Sequence, residues 1–107
     1  MTGVCVIVAY RPKPGREGEL HQLVRSRVPR LRKEGLATDR APLIMRARDG
    51  TIIEVSEWKS HEAIDEAHQN ANVLAMWDEF FVICDCIPLS EVPEARELFA
   101  GYAPADR

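Results

Sequence analysis

The chain has 107 residues, a length that fits one domain, and 46% of them are hydrophobic, enough for a real core. Its net charge is -3 with acids and bases interspersed, which argues against nucleic acid as a partner because that needs a basic face. Apolar runs fall short of the ~20 residues of a membrane span, so neither a transmembrane segment nor a membrane partner is expected. The opening MTGVCVIVAYRPKPG lacks a basic segment and a small-residue cleavage site, and a cytoplasmic location is the expectation.

Residues 4–10, VCVIVAY, are a β-branched apolar run ending at RPKPG, which predicts a strand buried on both faces. From Gly15 onward Leu20, Leu23, Val24, Val28 and Leu31 recur at helical spacing, with Arg25, Arg27, Arg30 and Arg32 read as a basic outer side. Pro29 should kink or end this helix, and Gly35 suits its end.

PLIMRARDGTIIEVSEW, residues 42–58, reads as a hairpin turning at Asp49-Gly50, the favoured two-residue turn. Arg48 then faces Thr51, Arg46 faces Ile53 and Ile44 faces Val55. Leu43, Met45, Ala47, Ile52, Glu54, Ser56 and Trp58 share the other face. Both faces mix apolar residues with isolated charges. Arg46, Glu54 and Ser56 must therefore be paired, wet or lining a pocket, since burying an unpaired charge costs several kcal/mol.

Ser60 can cap a helix with Ala63, Ile64, Ala67 and His68 on its inner side. Asn70 or Asn72 can cap another, with Val73, Leu74, Trp77, Phe80, Phe81 and Cys84 as its apolar stripe. CIPLSEV, residues 86–92, predicts a short edge strand. Pro93 would open a short helix docked by Leu98, Phe99 and Tyr102. The cysteines are Cys5, Cys84 and Cys86, an odd number without redox or zinc spacing. The three histidines show no ligand motif, so no metal is expected.

The order strand, helix, hairpin, helices, strand predicts an α+β fold: a ferredoxin-like antiparallel sheet with helices on one face. The opposite face would be covered by a second copy, a homodimer. One domain spans 1–107, with a core at about 4–90 and a helical tail at 91–107.

The strand with RPKPGREGEL, the hairpin and then SEWKSHEAIDEAH resemble the antibiotic biosynthesis monooxygenase family, over roughly residues 4–90. The resemblance implies a dimeric α+β barrel with a cavity between each sheet and its helices. It also implies oxidation of polycyclic phenolic substrates by O₂ without cofactor or metal in some members, and haem degradation in others. The haem-degrading set of asparagine, tryptophan and histidine is missing, as Ala9 or Tyr10, Ala67 or His68, and Trp77 stand in those places. The expected function is a cofactor-independent monooxygenase acting on an aromatic or polyketide-like substrate. The alternative is a non-catalytic dimer that binds a small apolar ligand or is structural. The expected catalytic residues are His68 as base, matched to the family pattern and able to move a proton near neutrality, with Tyr10 or Arg46 as donor to a developing oxyanion. Trp58, Trp77, Glu54, Ser56 and Phe81 are the expected substrate-binding residues.

Overall fold

The computed structural model describes residues 3–106. Its elements are β1 (Val4–Pro12), α1 (Glu17–Lys33), β2 (Leu43–Arg46), β3 (Ile52–Trp58), α2 (His61–Ala67), α3 (Ala71–Ile83), β4 (Cys84–Ile87) and β5 (Ala103–Pro104). They form one antiparallel sheet in the order β4-β1-β3-β2-β5, and the first four strands with their helices make the ferredoxin-like arrangement. No described helix is long and apolar enough to cross a membrane.

Leu20, Val24, Val28 and Leu31 of α1 are buried, as their spacing requires. Each contributes roughly 1.5–3 kcal/mol when removed from water. Helix α1 runs through Pro29 to Lys33, against the expectation of a break there. Pro29 is on the exposed side, and continued burial of Val28 and Leu31 offsets the lost backbone donor. Gly35, at φ 76°, follows the helix end. Ser60 caps α2 by accepting the Ala63 N–H, and Asn70 caps α3 by accepting those of Asn72 and Val73.

The hairpin departs from the expected register by one residue. Arg46 pairs with Ile52, Met45 with Ile53, Ile44 with Glu54 and Leu43 with Val55. The Ala47 N–H donates to Thr51 O at 2.8 Å and the Gly50 N–H to Ala47 O at 3.0 Å, closing a three-residue loop over Arg48, Asp49 and Gly50. Only Gly50 of the three takes a positive φ, and the Asp49 carboxylate instead accepts the Thr51 N–H. A one-residue slip turns every side chain of one strand over. Ile44, rather than Leu43 and Met45, therefore shares the helix side with Ile52, Glu54, Ser56 and Trp58.

Strand β1 is not buried on both faces. Tyr10 is sealed on the helix side, with Val6 and Val8 packed against the same core, whereas Cys5 and Ile7 are exposed on the other. The tail covers part of that outer face, which the sequence had left bare. Val92 packs with Ala9, Ala47 and Ile53, joined by half-buried Tyr102. The expected helix from Pro93 is one 3₁₀ turn, Pro93–Arg96, and Leu98 and Phe99 do not dock, being 91% and 88% exposed. The chain then pairs β5 with β2, and the Ala105 N–H donates to Ile44 O at 2.8 Å. His21 Nε2 of α1 lies 2.7 Å from Ala105 O, pinning the tail to the helix layer. This strap closes the β2 edge, which would otherwise present unpaired backbone groups.

Candidate functional site

The stripe of α3 is divided by the sheet below it. Val73, Met76, Phe80 and Ile83 turn inward, Trp77 is half-buried, and Leu74 and Phe81 face outward. Cys84 is not part of the helix but the first residue of β4. Between α3, α1 and strands β1 and β4 lies a cavity of about 280 Å³, lined by Val8, Tyr10, Arg27, Trp77, Phe80, Phe81 and Cys86. This is close to the lower end of small-ligand pockets, roughly 300–1,000 Å³.

Its floor is a buried polar network. The Tyr10 hydroxyl donates to Glu54 Oε1 at 2.9 Å, and Arg27 Nη1 donates to the same oxygen at 3.0 Å and to Ser56 Oγ at 3.2 Å. Glu54 is 0% exposed and Arg27 5%. The Trp58 ring lies 5.6 Å from the guanidinium carbon, a cation–π contact. The Tyr10 ring stacks on Phe80 with centroids 5.1 Å apart. Glu54 Oε2 is buried without a partner among the described residues.

Burial raises the Glu54 carboxyl above its ordinary range, while Arg27 and the Tyr10 hydrogen bond hold it down in part. Burial also raises Tyr10 well above the usual phenol value, with Arg27 opposing and Glu54 adding to the rise. The Cys86 thiol is pulled down to about 7 by the neighbouring Cys84 thiol and by Arg27, against burial. Cys84 itself is buried and donates to Phe80 O at 3.2 Å.

The structure brings Tyr10, Trp77 and Phe81 to the cavity and sets Glu54 and Ser56 beneath it as partners of Arg27. Trp58 packs on Arg27 without lining the cavity. Arg46 is exposed on β2 and lines nothing there, because its strand lies across β3 from β1. His68 does not face inward with Ile64 as its spacing implied. Helix α2 ends at Ala67, and Ala63 and Ala67 fill its inner positions. His68 is the exposed cap residue, with Nδ1 2.9 Å from Ile64 O and its ring edge-on to Trp77 at 5.1 Å. It braces the back of a cavity wall and does not line the cavity.

Arg27, read from sequence as part of the basic outer side of α1, is buried instead, and Cys86 was not singled out as a site residue. Arg27 follows Leu20 and Val24 at core spacing, a signal overridden by its charge. Cys86 falls on the helix side because it pairs with Tyr10.

No family model and no curated protein matches the chain. Among solved structures it is similar to that of Rv0793 from Mycobacterium tuberculosis, at 19% identity and a TM-score of 0.63, over 80% of this chain and 89% of that one. That likeness establishes a shared small α+β fold.

Proposed function

We propose that the protein is a cofactor-independent monooxygenase of the antibiotic biosynthesis monooxygenase type, acting on a flat aromatic or polyketide-like molecule with an acidic oxygen. The observation that carries this is Arg27. A guanidinium sits buried at an apolar cavity, and its hydrogen bonds to the described residues all leave from Nη1. Its remaining donors suit a phenolate oxygen, while Trp77, Phe80 and Phe81 suit a flat ring. The Arg27 charge favours phenolate over phenol, and solvent, to which the cavity opens beside Phe81 and Cys86, can take the proton, so deprotonation does not depend on His68. The electron-rich ring then reduces O₂ directly while held against the apolar walls.

Titration with 1-naphthol tests the binding step: wild-type protein should bind it as phenolate below its free pKa, and Arg27→Gln should not. Oxygen uptake with a panel of polycyclic phenols tests the reaction. A non-catalytic ligand binder is the second reading, favoured by Tyr10, whose proton is held far above neutral pH. Binding without oxygen uptake would select it.

The same reading includes a homodimer. Cys5, Ile7 and Leu43 remain exposed on the outer sheet face beyond the reach of the tail, and a second copy would cover them. Light scattering after gel filtration should give twice the monomer mass at micromolar concentration, and a compact monomer would refute this.

A further inference from the structure

We propose that Cys86 captures flat α,β-unsaturated carbonyl compounds, such as quinones and enones, by covalent addition inside the cavity, with Arg27 holding the carbonyl oxygen. This rests on the preceding reading that the cavity takes a flat apolar molecule bearing an oxygen.

Three independent features of the site meet here. Cys86 pairs with Tyr10 across β4 and β1, so its side chain turns toward the helices and lines the cavity. It is exposed, whereas Cys84, two residues earlier, is buried and bound to Phe80 O. The nucleophile, the guanidinium and the aromatic walls thus line one space, and Arg27 has donors left unused among the described residues. The neighbouring Cys84 thiol first, and then the Arg27 charge facing the same cavity, draw the Cys86 thiol toward thiolate, the form that attacks.

The chemistry needs no oxidant or reductant. The Cys86 sulfur loses its proton to solvent and its electron pair forms a bond to the β-carbon. The carbon–carbon π bond breaks, and its electrons move to the carbonyl oxygen as an enolate facing Arg27. A proton from solvent then adds to the α-carbon, leaving a thioether. The net change is addition of S–H across one double bond.

The test uses the whole chain and two reagents, 1,4-naphthoquinone and iodoacetamide, with adducts at Cys86 followed by peptide mass spectrometry. Each rate is divided by that of N-acetylcysteine with the same reagent. The cavity should raise the naphthoquinone ratio above the iodoacetamide ratio by at least about tenfold. Phe81→Ala, at a residue 58% exposed and so safe for folding, should lower the naphthoquinone ratio and leave the iodoacetamide ratio unchanged. Equal ratios for the two reagents in wild type would overturn the proposal, as would indifference to Phe81→Ala. Binding of 1-naphthol to Cys86→Ser separates the two readings. If it binds there while the wild-type ratios are equal, capture fails and the ligand pocket stands. If it binds to neither protein and the ratios are equal, both fail.

Discussion

The two faces of the sheet each cover a glutamate, and they treat it in opposite ways. On the helix side Glu54 meets Arg27, a partner as buried as itself, and its carboxyl is raised by burial. On the outer side Glu94, in the 3₁₀ turn of the tail and itself 2% exposed, accepts the Arg48 N–H at 2.8 Å, and is lowered, first by that backbone hydrogen bond. Arg48 itself is largely in solvent. A backbone donor aimed at a carboxylate stabilises its charged form without bringing a second charge out of water. A buried ion pair must first recover what desolvation of both partners takes, and a carboxylate oxygen left without a partner shows that recovery is incomplete. The helix side thus holds a charge pair away from water, whereas the tail uses charge to fasten itself.

The sharpest way to break this contrast is to remove one member of the buried pair, then both. Arg27→Met strands Glu54 in the core and should cost about 3–5 kcal/mol in urea unfolding. Adding Glu54→Leu should recover much of the loss, because an apolar replacement of the whole pair leaves no orphan charge. A single mutant as stable as wild type would show that Glu54 is not dependent on Arg27.

Packing on the two faces should differ next. Phe80→Ala removes the ring stacked on Tyr10 and should cost about 3–5 kcal/mol. Val92→Ala, in the smaller cluster under the tail, should cost about 2 kcal/mol, from two methylene equivalents and a small cavity. Equal costs by the same unfolding measurement would mean that the tail is as firmly built as the helix layer.

The pH dependence sharpens the contrast further, with opposite signs. Glu54 has a folded pKa above its ordinary 4.5, so its contribution to stability is full below that value and is lost as pH rises through the folded pKa. Glu94 has a folded pKa below 4.5, so its contribution is full above that value and is lost as pH falls through the folded pKa. In unfolding curves collected from pH 3 upward, Glu54→Gln should remove a loss of stability above about 4.5, and Glu94→Gln one below it. The smallest effect belongs to the loop that follows Glu94. Leu98→Ser and Phe99→Ser should each change stability by within about 0.5 kcal/mol, since neither side chain is packed. A larger loss in dilute protein would place the two residues against a surface of the same chain.

Much of the fold was legible because local rules suffice for it. The period of α1 and the Ser60 cap act through neighbours a few residues away and formed as read; β1 formed as a strand, though Cys5 and Ile7 of its outer face are exposed, and of the two cap candidates Asn70 is the one used. The hairpin shows where local reading ends. Asp49-Gly50 marked the turn correctly, but a two-residue and a three-residue loop use the same residues. The choice was made by how β2 seats Ile44 under the helices and Ala47 under Val92. The site was half legible. Tyr10, Glu54, Ser56, Trp77 and Phe81 carried the signal of polar or aromatic residues on covered elements. His68 carried the same signal but fell one residue past the end of its helix, where its ring folds back on the last turn.

By itself the sequence determined the types and order of the elements from β1 to β4 and therefore the ferredoxin-like sheet, because periodicity and capping are short-range properties; the turn and β5 of the tail were not among them. That Arg27 is the buried arginine was decided by tertiary structure, because its core spacing by itself cannot show that a partner waits below it. Arg25, Arg27, Arg30 and Arg32 are the same residue type on one helix, and only Arg27 lies over Glu54 and Ser56. A buried guanidinium is stable only where the fold supplies a carboxylate within hydrogen-bond reach, and that carboxylate comes from a strand 27 residues away in the chain.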